Sequence, residues 1–275
     1  MRTVSAIKNI NSTLIVYGFN MVLQFIIRFV LLYYLSIEYL GLNGLFDNIL
    51  TVLSLTELGI GPAIIFSLYA PLANHDLETV KSIMRIFKKA YIYIGTLILF
   101  LGLCISPFVQ HLIKVPPNIA YLNIFFLLFV VDTGISYFYS YKKCLLIADQ
   151  KQYIANYYRG ITQLIGSLFQ IALVVLTHSF WVYIILRICM TFSENFLIAR
   201  KADHLYSFLN EKNIRPLNKD IYQSIIRNIK ALILHKIGGV TVFGTSNIIL
   251  SKFVGLSAVA LYTNYYLIIN GIDKL

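Results

Sequence analysis

Apolar residues run through this chain in blocks too long and too continuous for a water-soluble fold, and polar residues interrupt them at helical intervals. The blocks predict about eight spans of roughly 17 to 25 residues, the length that a hydrocarbon core about 30 Å thick requires of a helix. They fall near 12–35, 45–70, 90–109, 119–141, 154–177, 180–199, 231–252 and 257 to the end. A strand barrel is not expected, because the apolar runs are continuous and do not alternate. The expected fold is all-α, a polytopic membrane helix bundle.

The interruptions are ordered. At about 100° per residue, Thr13, Tyr17, Asn20, Gln24 and Arg28 share an arc of about 80° on the first span. Asp47, Thr51, Ser54, Glu57 and Gly61 recur at i+3 or i+4 on the second. Asp132, Ser136 and Tyr139 align on the fourth, Asn156, Arg159, Gln163, Ser167 and Gln170 on the fifth, and Arg187, Thr191 and Glu194 on the sixth. Charged residues at membrane depth are costly unless they face protein or water. Stripes on most of the first six spans therefore predict a shared hydrated interior, the alternative being interhelical ion pairs that hold the bundle together. At about 1.5 Å per residue, Arg28 and Arg187 lie roughly 10 Å below one surface, with Glu57, Asp132 and Glu194 deeper. Arg159 and Lys236 sit about two turns from the other end, close enough to snorkel to headgroups. In the second span, Gly59-Ile60-Gly61-Pro62 predicts a kink, serving as a hinge or as close helix packing.

Composition agrees: of 275 residues, 58% are hydrophobic and 13% charged, with a mean hydropathy of +0.74. The net charge of +11 gathers at the N-terminus and in alternate loops, 71–89, 142–153 and 200–230, while the opposite loops hold only Lys114 and Lys252. Positive charge marks the cytoplasmic side, which places the N-terminus inside and explains the basicity without nucleic acid. The opposite loops, 36–44, 110–118 and 178–179, are short. Cys104, Cys144 and Cys189 are odd in number and scattered, so neither a disulfide nor a zinc framework follows. The start lacks a small-residue cleavage signal and reads as a retained span; Asn11-Ser12-Thr13 matches a glycosylation acceptor by chance on this side.

The polar stretch 202–228 reads as a linker, helical from Lys219, between a six-helix lobe over 1–203 and the start of a second lobe over 229–275, with the linker proper at 204–228. After it the pattern begins again. Tyr39-Leu40-Gly41-Leu42 with Leu45-Phe46-Asp47-Asn48 is echoed by Phe253-Val254-Gly255-Leu256 with Leu261-Tyr262-Thr263-Asn264. Such internal symmetry is how transporter repeats appear in sequence. The second lobe is then incomplete, two helices of it being present, and the chain is expected to be the N-terminal part of a longer transporter.

Several segments carry a family resemblance: Arg28, Tyr39-Leu40-Gly41-Leu42-Asn43-Gly44-Leu45-Phe46, Glu57-Leu58-Gly59-Ile60-Gly61, Leu68-Tyr69-Ala70-Pro71-Leu72, Gly244-Thr245-Ser246-Asn247, Gly255-Leu256 and Leu261-Tyr262-Thr263-Asn264-Tyr265. Through them the chain resembles the polysaccharide or O-antigen flippases (Wzx type) of the multidrug/oligosaccharidyl-lipid/polysaccharide exporter superfamily. The resemblance implies two six-helix lobes around a cationic cavity, in which Arg28 would hold a lipid diphosphate. It places Ser246 where relatives often carry Asp.

The function expected is export of undecaprenyl-diphosphate-linked oligosaccharide across the bacterial plasma membrane by alternating access, for capsule, exopolysaccharide or O-antigen synthesis. The candidate cavity residues are Asn20, Gln24, Arg28, Glu57, Asp132, Arg159, Gln163, Arg187, Glu194, Lys236 and Asn247. Partners are membrane lipids, the lipid-linked glycan, a coupling H+ or Na+, and a glycan polymerase and glycosyltransferases; no cofactor, metal or covalent step is expected. One rival is a cation-coupled multidrug exporter using Glu57, Asp132 or Glu194, against which intramembrane Arg28, Arg159, Arg187 and Lys236 weigh. Another is a membrane glycosyltransferase or polymerase, which the short outer loops and the absence of phosphate-loop, zinc or nucleophile motifs disfavour. The topology is open to test by cysteine labelling in a background without native cysteines. Pro117→Cys is expected to react with an impermeant maleimide on intact cells, and Asn74→Cys only after lysis; the reverse pattern would invert the orientation.

Overall fold

The computed structural model describes residues 2–57, 59–115, 119–211, 215–239 and 245–273, without the side chains at 2, 4, 210, 234–236 and 270–273. The chain is helical, with no strand among the described residues: α1 (Arg2–Tyr34), α2 (Ile37–Leu53), α3 (Ile60–Ala73), α4 (Leu77–Ile105), α5 (Leu122–Ala148), α6 (Gln152–Thr177), α7 (Phe180–Leu205), α8 (Lys219–Gly239), α9 (Ser246–Phe253) and α10 (Leu256–Asp273). Short 3-10 turns cover Ser54–Glu57, Ser106–Leu112 and Ser207–Asn210. Among the described residues, five stretches are long and apolar enough to cross a membrane: Ser5–Tyr34, Leu77–Leu112, Leu122–Ala148, Gln152–Thr177 and Phe180–Leu205. A sixth arises if α2 with its 3-10 turn and α3, bent by 46°, form one broken span. Large apolar side chains such as Ile15, Phe29, Phe100, Phe169 and Leu176 stand exposed, which suits a lipid solvent.

The helices depart from the expected spans at identifiable places. The loop expected at 36–44 is helical, and α1 and α2 meet in a tight turn at Leu35-Ser36. Its glycines mark helix packing instead of a turn. A Cβ on Gly41 would overlap the Leu256 carbonyl oxygen of α10, and one on Gly44 would lie 2.7 Å from Thr263 Cγ2. The loop expected at 71–89 shrinks to Asn74-His75-Asp76, because α4 begins at Leu77 and carries the basic residues on its first turns. Asp76 caps it: its carboxylate accepts hydrogen bonds from the Thr79 hydroxyl and backbone N–H, which hold the carboxyl below its usual pKa. The span expected at 231–252 is divided between the end of α8 and α9.

The kink expected at Gly59-Ile60-Gly61-Pro62 is a break. Gly59 takes the left-handed conformation, φ 73°, and Pro62 falls in the first turn of α3, where its missing N–H costs nothing. A Cβ on Gly59 would meet Leu232 Cβ of α8 at 2.8 Å, so the break also seats α8.

Two apolar clusters hold the bundle. At the end of the α1–α2 turn, Leu31, Leu42, Phe46, Phe126, Phe129 and Ile184 interlock with Leu256 and Ala260 of α10. At the opposite, basic end, Leu68, Ile83, Phe87, Leu145, Ile198 and Ile225 of α8 form the second. The chain beyond residue 218 thus touches the first seven helices at both ends, and the two sequence echoes, in α2 and at α9–α10, lie against each other.

Gly41→Val is expected to force α2 from α10 and, by overpacking, to destabilise the protein by about 1–3 kcal/mol. Gly18→Ala, whose Cβ would meet nothing within 4 Å, is expected to leave stability unchanged or slightly raised. Thermal unfolding in detergent distinguishes the two.

Candidate functional site

Between the two apolar clusters lies a polar cavity of about 290 Å³, lined by Gln24 and Arg28 of α1, Asn43 and Asp47 of α2, Asp132 of α5, Gln163 and Gln170 of α6, and Tyr183, Arg187 and Thr191 of α7. Five of the expected residues therefore meet there: Gln24, Arg28, Asp132, Gln163 and Arg187.

Arg187 is the hub. Its Nη2 donates to Asp47 Oδ1 at 2.7 Å, its Nε to Asp132 Oδ2 at 2.9 Å, and its Nη1 to Asn43 Oδ1 at 3.1 Å. Its guanidinium also stacks over the Phe129 ring, 4.4 Å from the centroid. The Tyr183 hydroxyl donates to the same Asn43 oxygen at 3.1 Å. One cation thus ties α2, α5 and α7, and the ion-pair reading of the stripes holds for Arg187 and Asp132. The pairing is not saturated. Asp132 Oδ1 is buried without a hydrogen-bond partner among the described residues, and the Asp47 side chain remains 42% exposed toward the cavity.

Arg28 is held differently. Its Nη1 donates to the Thr263 backbone carbonyl and to Asn264 Oδ1, 3.1 Å away, both on α10. These acceptors are neutral, and no carboxylate lies within ion-pair distance among the described residues. The Arg28 charge is therefore hydrogen-bonded but not matched by a bonded anion.

Below the cavity, the α1 and α6 stripes separate into two functions. Near the basic end they join directly. Asn156 Nδ2 donates to Ser12 Oγ at 3.0 Å and Thr13 Oγ1 at 2.9 Å, and the Arg159 guanidinium lies 5.4 Å from the Tyr17 ring centroid. Nearer the cavity they part, and Gln24, Arg28, Gln163 and Gln170 line the opening. Arg159 is thus a helix contact, outside the cavity lining. Asn20, between the two regions, is 5% exposed, and both its amide atoms lack partners among the described residues. Gln163 Nε2 donates to Glu194 Oε2 at 3.3 Å, and Lys143 Nζ lies 4.0 Å from Glu194 Oε1, so Glu194 adjoins the cavity through Gln163.

Glu57 lies elsewhere. The expected stripe on the second span assumed a continuous helix; the 3-10 turn at Ser54–Glu57 and the break at Gly59 change the period and turn Glu57 toward α4 and α5. There it accepts hydrogen bonds from Tyr91 at 3.2 Å and Tyr137 at 3.3 Å. Asn247 donates to the Gly44 carbonyl at 3.1 Å and to Asn48 Oδ1 at 2.9 Å, joining α9 to α2 and not the cavity wall. Lys236 falls in α8 with its side chain outside the described residues; Leu58, Gly244 and the last two positions of the chain lie outside the described residues altogether.

Asn43 and Tyr183 are cavity residues that the stripes did not supply. Asn43 had a visible signal: it stands four residues before Asp47, one turn away on the same face. Tyr183 stands four before Arg187 by the same rule. Asp47 was on a stripe but outside the candidate set. Among the described residues no group of three or more His, Cys, Asp or Glu is placed to hold a metal ion.

Arg187→Ala leaves two carboxylates without their partner and is expected to destabilise by about 3–5 kcal/mol, whereas Arg28→Gln, which keeps a donor toward the α10 acceptors, costs less than half as much. Equal losses on thermal unfolding would contradict this division between a structural and an available arginine. Comparison of the chain with protein-family models, curated proteins and solved structures gives no match.

Proposed function

We propose that the chain is part of a membrane transporter that moves an amphiphile with an anionic, phosphate-bearing head, of the lipid-linked oligosaccharide class, by alternating access and without a covalent step. The observation that carries this is Arg28. A guanidinium on a cavity wall with only neutral acceptors can exchange those acceptors for phosphate oxygens, gaining charge-assisted and bidentate hydrogen bonds. Gln24, Gln163 and Thr191 offer amide and hydroxyl groups beside it to replace the hydration of a sugar. The resemblance to Wzx-type flippases supports the same reading and supplies the setting, export of glycan units across a bacterial plasma membrane with the N-terminus inside. It also supplies the partners, a glycan polymerase and glycosyltransferases.

In this proposal α9 and α10 begin the second lobe, and the Arg28 contact to α10 is one that substrate entry breaks and lobe separation remakes. Phosphate binding at Arg28 would then be linked to the position of α10.

A second reading has its own observation. The cation excess counted over the whole chain does not extend to the cavity, where Arg28 and Arg187 face Asp47 and Asp132. Balanced charge with a half-exposed Asp47 suits a coupling H+ or Na+, or a cationic drug in a multidrug exporter. Asp47→Asn discriminates: loss of drug resistance with intact glycan export supports the exporter, and the reverse supports the flippase.

For the favoured reading, Arg28→Ala is expected to reduce lipid-linked glycan reaching the outer leaflet by about tenfold to a hundredfold, the worth of one charged hydrogen-bonded contact. Arg28→Lys, a point charge without the planar fork, is expected to fall between. Unchanged transport in both variants would remove Arg28 from the mechanism.

A further inference from the structure

A second cavity, of about 410 Å³, opens at the basic end between α4, α5, the end of α7 and the 3-10 turn Ser207–Asn210. Its wall carries Lys81, Arg85, Lys88 and Lys89 of α4 and Lys142 of α5, against Asp203 and Glu211. Both acids are already bound. Lys142 Nζ lies 2.6 Å from Asp203 Oδ2, and Lys81 Nζ lies 2.7 Å from Glu211 Oε2 while also pairing with Glu78. Arg85, Lys88 and Lys89 have no carboxylate within 4.0 Å among the described residues, so three exposed cations converge on the opening.

The surface leading away from this opening is apolar. Ile92, itself on the cavity wall and 42% exposed, begins an exposed track on α4 that continues through Thr96, Phe100 and Leu103, spaced three or four residues apart and so on one face. Cations one to two turns before the start of an exposed apolar face, on a helix of membrane-crossing length, are placed where lipid headgroups would lie. A small soluble anion would use the cations and leave the track uncovered, whereas a phospholipid uses both, with its phosphate on the cations and its acyl chains along α4. Basic pockets between transmembrane helices recognise anionic headgroups in this way.

We propose that this cavity is a binding site for the headgroup of an anionic phospholipid, separate from the cavity at Arg28. Arg85, Lys88 and Lys89 bind the phosphate, while Lys81 and Lys142 are fixed by their acids and shape the wall. The site does not depend on what the protein transports. A lipid seated there lies against α4, α5 and the end of α7, and stiffens the bundle where the chain leaves α7 toward α8.

The test compares the full chain with its Arg85→Gln/Lys88→Gln/Lys89→Gln variant, each purified in mild detergent. Native mass spectrometry reads retained phosphatidylglycerol or cardiolipin against phosphatidylcholine. Wild type is expected to retain the anionic lipid selectively, and the variant, lacking three interfacial cations, to bind it roughly a hundredfold more weakly. The variant's unfolding temperature without lipid should match wild type, and added anionic lipid should raise that of wild type only. Equal retention by both proteins, or no preference over phosphatidylcholine, overturns the proposal. So does complete displacement of the lipid by millimolar inorganic phosphate, which would assign the cations to a soluble anion.

Discussion

The bundle depends on a single guanidinium. A buried carboxylate is costly without a partner, and the buried Asp132 and the cavity-facing Asp47 come from helices with no covalent reason to meet. Arg187 makes the burial of Asp132 tolerable and holds Asp47 beside it by bonding both at once, with the Asn43 amide and the Phe129 face completing its surroundings. That requirement sets the rotation of α2, α5 and α7 about their axes. Their remaining polar residues then turn toward a common interior and their large apolar residues toward the lipid.

Around this hub the two arginines of the cavity divide their duties through the company they keep. Arg187 is enclosed by charge of the opposite sign and serves as a fixed point. Arg28 is bonded to a carbonyl and an amide on α10 and remains free to attract an anion. The same residue type at similar depth is structural in one place and available in the other, and only the partners distinguish them. The basic cavity at the far end repeats the division: Lys81 and Lys142 are tied to acids, while Arg85, Lys88 and Lys89 are left for solvent or ligand.

Helical periodicity made much of this legible in the sequence. The stripes on α1, α5, α6 and α7 placed Gln24, Arg28, Asp132, Gln163 and Arg187 on faces that do converge, because those helices are continuous and a constant period carries a face along their length. Where the helix breaks, the rule fails. Glu57 is the last residue of a 3-10 turn, so a constant α-helical period counted from Asp47 does not describe the direction in which it points. Asn156 and Arg159 show a different limit, since a stripe looks the same whether it faces another stripe or a cavity. Gly41 and Gly44 read as a loop because local preference favours turns for glycine, yet α10 required their missing side chains. Contacts between residues distant in sequence, such as Arg28 with Thr263, leave no periodic trace.

The Thr263 partner of Arg28 is a main-chain oxygen. Every amino acid supplies such an oxygen, so inheritance can replace the side chain at that position without losing the acceptor. Variants on α10 that weaken the bond to Arg28 would then concentrate at Asn264, whose side chain is the part of the contact that mutation can erase, while changes at Thr263 would be felt in its packing against Gly44.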